Sequence, residues 1–170
     1  DIGHDQLAAH VREDSRVTVR DGTSVRDLTP QLLGGRVDLV VADLSFISLR
    51  TVLPALASVA RPGGELLLMV KPQFEVGRGA LPKSGVVSDP ADRVRAVREV
   101  AEAAARAGLQ TAAVGPSALP GQDGNREYFL HLRPHGTAFV LDAEACDMIV
   151  SAVSGNRPRR RRDQHTSKED

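Results

Sequence analysis

Two short apolar runs constrain the fold of this chain more than any other feature of its sequence. Glu65–Val70 (ELLLMV) is almost continuously apolar, and Val37–Ala42 (VDLVVA) contains one charged residue. Runs of this kind are typical of strands that are covered on both faces of a sheet, as in parallel sheets. Further strands are predicted at Val17–Arg20, Leu109–Val114 and Tyr128–Leu132. The chain is therefore expected to fold around a β-sheet.

Helical segments alternate with these strands. Ser48 has the side chain of a helix N-cap, and the helix predicted after it runs to Ala60. A longer helix is predicted after Asp89 and Pro90, which suit the N-cap and the first helical position. The apolar residues of this second helix recur at three- and four-residue steps, at Val94, Val97, Ala101 and Ala104. The alternation predicts an α/β fold with a doubly wound, mostly parallel sheet.

Composition and charge exclude several classes of protein. The 170 residues include 22 basic and 22 acidic side chains, so the chain is not a wholly basic nucleic-acid binder. No apolar run reaches the length that crosses a membrane. The single cysteine cannot form an internal disulfide, which points to a reducing compartment, and we expect the protein in the cytoplasm.

The last residues differ in composition from the rest of the chain. We expect residues 1–153 to form one domain and residues 154–170 to form a disordered tail, because the tail has no apolar side chains to bury. Residues 156–170 contain six basic and three acidic side chains, and five of the basic ones are arginines between positions 157 and 162. Such a cluster attracts RNA phosphates. A solvated terminal tail without a partner is the alternative.

Ionisable residues directly follow two of the predicted strands. Asp43 follows Val37–Ala42, and Lys71 follows Glu65–Val70. In open parallel sheets, ligands bind beyond the carboxyl ends of the strands. If the last strand runs antiparallel to the others, its start lies at the same edge of the sheet, which puts Glu127 near Asp43 and Lys71. Together the three residues predict a functional site, whereas each one alone could equally cap a helix or form a surface ion pair.

Two loops are expected near this edge of the sheet. Residues 76–85 form a long, Gly-rich loop with two basic residues, Arg78 and Lys83. Long loops in compact domains are often binding loops, so these two side chains are candidates to contact a polyanionic substrate; an ordinary surface loop is the alternative. Residues 119–124 have the composition of a turn, and we expect this turn to aim Glu127.

The histidines and the cysteine do not predict a metal site. His131 and His135 are four residues apart, but Pro134 lies between them and prevents the helix that would align them. Cys146 falls in a predicted C-terminal helix and is expected to be a small buried side chain rather than a nucleophile. We therefore expect no metal cofactor.

Four segments carry a resemblance to a known family. They are Ala42–Ser48 (ADLSFIS), Val70–Glu75 (VKPQFE), Ser84–Pro90 (SGVVSDP) and Gly124–Arg133 (GNREYFLHLR). In order and spacing these segments resemble the TlyA family, the hemolysin-A-like methyltransferases of the FtsJ-type group. The resemblance implies a Rossmann-like methyltransferase sheet with an antiparallel last strand. It also implies transfer of a methyl group from S-adenosylmethionine to the ribose 2′-hydroxyl of cytidine in ribosomal RNA.

The resemblance also implies roles for individual residues. Asp43, Lys71 and Glu127 match three members of the family's Lys-Asp-Lys-Glu catalytic set, with Lys71 as general base and the two carboxylates orienting it and the substrate. On the cofactor side, the resemblance assigns Asp1 to the ribose hydroxyls, places Ser24 in the loop beside the adenine, and includes Asp43. Ser24 stands where the family often has Asn.

The family's first strand, its Gly-rich turn, its first catalytic Lys and a small RNA-binding domain would all precede Asp1. The resemblance therefore implies the carboxyl-terminal part of an enzyme, which we expect to bind the cofactor poorly and to turn over slowly by itself. Two other hypotheses remain open at this point. One is a non-enzymatic module that binds RNA or ribosomal subunits, and the other is a membrane-lytic protein, which the lack of an apolar span disfavours.

Overall fold

The computed structural model describes residues 1–77, 79–134 and 143–154, which form one α/β unit. The strands are β1 (Val37–Ala42), β2 (Ala60–Val70), β3 (Leu109–Pro116) and β4 (Tyr128–Pro134). The helices are α1 (Ala9–Arg12), α2 (Pro30–Leu33), α3 (Leu49–Val59), α4 (Pro72–Glu75), α5 (Pro90–Arg106) and α6 (Ala143–Ser154), with 3-10 turns at Val25–Asp27 and Gln122–Gly124. Arg78 and the Arg-rich tail from residue 155 onward lie outside the described residues.

The four strands form one sheet in the order β1-β2-β4-β3. β1 and β2 are parallel, with Ala42 opposite Leu68, whereas β4 is antiparallel to both β2 and β3. Three strands therefore point in one direction and β4 points in the other. This arrangement confirms the expected α/β sheet, mostly parallel in strand direction, with an antiparallel last strand.

One face of the sheet carries the core. Leu66, Leu68 and Val70 alternate along β2 and are completely buried, as are Leu130 and Leu132 on β4. The helices α3 and α5 contact each other and contribute side chains to the same cluster. Burial of this continuous apolar layer is the main free-energy term that holds the helices on the sheet.

The helix starts follow from their capping residues. The Ser48 hydroxyl accepts a hydrogen bond from the Arg50 backbone N–H and begins α3, and the Asp89 carboxylate accepts one from the Ala91 N–H and begins α5. Both N-caps were predicted from the sequence and are confirmed. α6 is also confirmed and contains Cys146, but the burial predicted for its side chain lies outside what the structure describes.

The opposite face of the sheet is more open. Leu39 and Val41 of β1 are 54% and 65% exposed, and Leu67 and Met69 of β2 are half-buried. The apolar runs predict burial on both faces of the sheet, but only the core face is buried. The long helices among the described residues pack on the core face and leave this one open. On β2 this open face also carries Glu65, which is held by two cationic or polar partners from β4: His131 (3.0 Å) and Arg133 (2.7 Å). The hydrogen bond from His131 is the main cause that lowers the pKa of Glu65.

Two predicted elements differ from the structure. Val17–Arg20 is not a strand, because it pairs with no other strand in the described part of the chain and its residues are largely exposed. The helix predicted to reach Ala60 ends at Val59, and Ala60 already begins β2. β2 is longer than expected because residues 61–64 bulge out between the pairs Val37–Ala60 and Leu39–Glu65. Among the described residues, none of the helices is long and apolar enough to cross a membrane.

Candidate functional site

Asp43 and Lys71 form an ion pair at the carboxyl edge of the two parallel strands. Asp43 directly follows β1 and Lys71 directly follows β2, so the parallel pairing of these strands brings the two side chains together. Lys71 Nζ lies 2.7 Å from Asp43 Oδ1 and donates a hydrogen bond to Ser45 Oγ at 3.3 Å. The Lys71 side chain is only 14% exposed, whereas Asp43 is 61% exposed. The Lys71 amino group is therefore nearly buried and held by two partners, whereas solvent or a ligand can reach the Asp43 carboxylate.

Glu127 enters the same edge from the opposite direction. It precedes Tyr128, the first residue of β4, which is antiparallel to β2 and lies opposite Val70. The sequence places Glu127 near both Asp43 and Lys71. In the structure its carboxylate accepts a hydrogen bond from Gln73 Nε2 at 3.0 Å instead of contacting Lys71, which is paired with Asp43. The residue is 7% exposed, so this hydrogen bond is shielded from water.

The turn before Glu127 is tightly built. The Gly121 N–H donates to the Asn125 carbonyl (2.8 Å), and the Ser117 N–H donates to the Glu127 carbonyl (2.8 Å). Gly121 lies so close to the Glu127 side chain that a Cβ atom on Gly121 would overlap the Glu127 carboxylate. The sequence predicts that this turn aims Glu127. In the structure, the turn backbone lies directly against the Glu127 carboxylate.

A cavity of about 410 Å³ lies between these groups. Its volume falls in the range of small-molecule sites. Both Asp43 and Glu127 line it, while Met69 and Phe129 supply apolar wall. The rest of the wall comes from the segment after β3, namely Ser117, Ala118, Leu119 and Pro120. The cavity therefore combines two carboxylates with an apolar surface at the edge where the strand topology predicts a ligand.

Glu75 connects the segments that follow β1 and β2. Its carboxylate is 2% exposed and accepts hydrogen bonds from Ser48 Oγ (2.6 Å) and from the Leu49 N–H (2.7 Å). Arg50 Nε lies 3.3 Å from the same carboxylate, and Arg50 Nη1 reaches Glu99 at 2.5 Å. Burial raises the pKa of Glu75, although the hydrogen bonds from Ser48 and Leu49 and the charge of Arg50 act in the opposite direction.

This role of Glu75 could not be predicted from the sequence, because a carboxylate four residues after Lys71 has no local pattern that distinguishes a buried helix cap from a surface group. The Ser48 N-cap was the only local signal. A buried carboxylate with this many donors fixes the segments 43–48 and 71–75 relative to each other. Glu75 therefore joins the segment that begins with Asp43 to the segment that begins with Lys71.

Phe46 has an unusual backbone conformation in the segment that follows β1. It lies one residue after Ser45, has a positive φ of 62° and is 87% exposed. The ring packs at a tilt against Phe74, with 5.2 Å between the ring centroids. A left-handed backbone is unfavourable for an aromatic residue, and strain of this kind concentrates at functional sites.

The residues that the resemblance assigns to the cofactor form a separate group. The Thr23 N–H donates to the Asp1 carbonyl (2.9 Å), so Asp1 and the Ser24 loop lie side by side. The Asp1 carboxylate accepts a hydrogen bond from the Gly3 N–H (2.7 Å), and Ser24 Oγ accepts one from the Arg26 N–H (3.2 Å). The described contacts do not join this group to Asp43.

Of the two loop residues predicted to contact the substrate, Arg78 lies outside the described residues. Lys83 is exposed. Downstream of it, the buried Asn125 accepts a hydrogen bond from the Val87 N–H (3.0 Å) and donates one to the Gly85 carbonyl (2.9 Å). Asn125 therefore anchors the end of this loop to the turn that carries Glu127, a role that the sequence did not indicate. Within the described ranges, no group of three His, Cys, Asp or Glu residues is arranged to hold a metal ion.

The fold is a Rossmann-like α/β sheet with an antiparallel strand, and its candidate site lies at the carboxyl ends of β1 and β2. The chain belongs to the FtsJ-like methyltransferase family, whose family profile matches residues 1–134.

Relatives and solved structures support this assignment. The chain is 54% identical over 155 residues to the 16S/23S rRNA (cytidine-2′-O)-methyltransferase TlyA of Mycobacterium tuberculosis, a match that covers 91% of this chain and 58% of the relative. It is 30% identical over 132 residues to the 23S rRNA (cytidine-2′-O)-methyltransferase TlyA of Campylobacter jejuni, covering 77% and 50% of the two chains. The chain thus spans 50–58% of the length of these relatives. A candidate hemolysin from Lactococcus lactis superposes with a TM-score of 0.81 at 30% identity, covering 90% of this chain and 74% of that one.

Proposed function

We propose that this chain carries the catalytic site of an S-adenosylmethionine-dependent methyltransferase that modifies the ribose 2′-hydroxyl of cytidine in ribosomal RNA. The observation that carries the proposal is the Asp43–Lys71 pair, 2.7 Å apart, beside a cavity that Glu127 also lines. The two rRNA methyltransferases named above, to which the chain is similar, supply the substrate class. With ribosomal RNA as its substrate, the protein would act in the cytoplasm, where ribosomal subunits are found.

Lys71 is the general base in this proposal. A ribose hydroxyl must lose its proton as it attacks a methyl group, and Lys71 accepts that proton after its ammonium group, paired with Asp43 in the structure, has released its own proton to solvent. Asp43 then stabilises the ammonium group that forms, because its Oδ1 already lies at hydrogen-bond distance from Lys71 Nζ. Ser45 Oγ, at 3.3 Å from the same nitrogen, restricts the direction of the amine. The chain therefore contributes mainly placement and proton transfer.

The residues of the site fit the proposed cofactor. S-adenosylmethionine supplies a methyl group that is reactive by itself, bound to a positively charged sulfur. The carboxylates of Asp43 and Glu127 and the apolar wall of the cavity suit a ligand that is both cationic and partly apolar. Asp1 and the loop of Ser24, which lie side by side, would hold its ribose and adenine.

The RNA would approach over the exposed groups around this cavity. Phe46 presents an exposed ring next to Ser45, and exposed aromatic rings stack on unpaired bases. Lys83 is exposed and lies close in sequence to the anchored end of its loop. Arg78 belongs to the same loop. The arginines of residues 157–162 would add contacts to phosphates that do not depend on sequence.

The decisive test compares two lysine substitutions in the full-length protein. Lys71→Met removes the base and is expected to lower the rate of methyl transfer from labelled S-adenosylmethionine to ribosomal RNA by about 10²–10⁴-fold, with RNA affinity nearly unchanged. Lys83→Met is the matched change at an exposed lysine, and we expect it to weaken RNA binding while kcat is retained. A Lys71→Met protein with the normal rate would contradict the proposal. Loss of RNA affinity in that variant, with no transfer by the parent, would instead favour a non-enzymatic RNA- or ribosome-binding module.

A further inference from the structure

Gln73 directs its side-chain amide at Glu127 and leaves its own oxygen without a partner. Its Nε2 donates to Glu127 Oε1 at 3.0 Å, while its Oε1 is buried and has no hydrogen-bond partner in the described part of the chain. Rotating the amide by half a turn would set an oxygen against the carboxylate, so the observed orientation is the one that chemistry allows. A buried acceptor without a partner is unfavourable, and natural proteins retain few such groups. The orphaned oxygen indicates that the contact with Glu127 takes precedence.

Gly121 bounds the same carboxylate from the turn that precedes Glu127. A Cβ atom placed on Gly121 would overlap Glu127 Oε1 and Cδ, so every other residue at this position would move the carboxylate. The backbone at Gly121 is fixed by its hydrogen bond to the Asn125 carbonyl (2.8 Å), and the turn therefore cannot simply withdraw. Gly121 does not have a positive φ, so backbone conformation gives no reason for glycine here. The space taken by the Glu127 carboxylate does.

We infer that Gln73 and Gly121 are positioning residues for Glu127: Gln73 holds the carboxylate from α4, and Gly121 leaves the space that it occupies. The inference rests on the proposed function in giving Glu127 a catalytic place. Gln73 lies two residues after Lys71, so one short segment sets both the base and the orientation of the carboxylate that lines the cavity with Asp43. This arrangement also accounts for the separation of Glu127 from Lys71, since each carboxylate has its own donor.

Enzyme kinetics on the full-length protein test this inference, by asking whether the effects of substitutions at Gln73 and Gly121 depend on the Glu127 carboxylate. Gln73→Met keeps the shape of the side chain and removes the donor, and it should lower kcat by about 10–100-fold, the loss expected for a hydrogen bond to a charged group. KM for S-adenosylmethionine and for RNA should stay within about twofold. Gly121→Ala should act in the same way, because it displaces the carboxylate. In a Glu127→Ala background, both substitutions should lower kcat by less than about twofold. A change of that size is within the margin to which the effects of independent substitutions add.

Gly115→Ala is the matched glycine control. Gly115 lies in β3, and a Cβ atom there meets nothing within 4 Å. This change should leave kcat unchanged in either background. If Gln73→Met and Gly121→Ala lower kcat equally with and without the Glu127 carboxylate, then they act on the fold in general and the inference is overturned.

A second measurement separates this inference from the proposed function. The side-chain carboxyl signal of Glu127, observed by NMR with ¹³C-labelled glutamate and assigned with Glu127→Gln, should shift in Gln73→Met and Gly121→Ala but not in Gly115→Ala. A protein that transfers no methyl group but shows these shifts would refute the proposed function and leave the positioning intact. If the parent is active, and if the Glu127 signal and kcat of both variants equal those of the parent, then only the positioning role of Gln73 and Gly121 is refuted.

Discussion

Removal of the Glu75 carboxylate should destabilise the chain by about 3 kcal/mol, the lower end of the cost of breaking a buried ion pair. In Glu75→Ala, the buried Leu49 N–H loses its acceptor at 2.7 Å, and an orphaned buried donor costs about 1–3 kcal/mol. The Ser48 hydroxyl also loses a charged acceptor at 2.6 Å. Arg50 is not orphaned, because it keeps Glu99 at 2.5 Å and the backbone carbonyl of residue 75 at 2.8 Å. This remaining pairing is the reason for choosing the lower end of the range.

The assay is thermal or urea unfolding of matched variants. For a chain of 170 residues, about 3 kcal/mol corresponds to a decrease in Tm of about 6–12 °C. Glu99→Ala removes the other, half-exposed partner of Arg50 and should cost no more than about 1 kcal/mol. If Glu75→Ala is as mild as Glu99→Ala, then the hydrogen bonds to Ser48 and Leu49 do not hold the two segments together, and our account of the site's framework is wrong.

The pH dependence of the same variants gives an independent check. Burial raises the pKa of Glu75 above its ordinary value of 4.5, so the folded chain holds a proton on this group more tightly than the unfolded chain does. The stability from this group is therefore fully present below about pH 4.5 and decreases as the pH rises through the raised pKa. Glu75→Gln lacks this titration. The free energy of unfolding of the parent, relative to Glu75→Gln, should accordingly be larger at acidic than at neutral pH, and the opposite trend would contradict burial as the dominant cause.

Two further predictions concern the groups that we propose to contact RNA. Phe46→Gly should be more stable than Phe46→Ala by about 1 kcal/mol, because both lose the ring while only glycine adopts the positive φ of 62° without strain. Both variants should transfer methyl groups more slowly, which thermal melts and initial rates on ribosomal RNA would measure together; a more stable alanine variant would argue against the left-handed backbone. Deletion of residues 157–162 should flatten the salt dependence of RNA binding in filter-binding titrations, since five arginines are lost. An unchanged slope would leave the tail a solvated segment.

Much of the sheet could be predicted because local runs of apolar residues mark its strands. β1 has the predicted bounds, Val37–Ala42, and the capping residues Ser48 and Asp89 mark the starts of α3 and α5. Val17–Arg20 was wrong for a physical reason: a short alternating segment becomes a strand only if another strand is in place to pair with it, and no local pattern reports that.

The site could be predicted as a location but not as a set of contacts. Topology alone brings Asp43, Lys71 and Glu127 to one edge, and the pairing of Asp43 with Lys71 follows from the parallel strands that carry them. The partner of Glu127 depends on the path of α4 after Lys71 and on the turn at Gly121, which are set by tertiary packing. The buried carboxylate of Glu75 is a similar case, since its donors come from a segment more than 20 residues earlier in the chain.

The position of β4 in the sheet has a consequence for the order in which the molecule is assembled. β4 is the last strand among the described residues but lies between β2 and β3, and in the described sheet β3 has β4 as its only neighbour. As the chain leaves the ribosome, β3 must wait for residues 128–134 before it can join the sheet. Glu127 arrives with the first residue of that strand. A nascent chain that has already paired Asp43 with Lys71 therefore still lacks the third group, and the site becomes complete only in the step that completes the sheet.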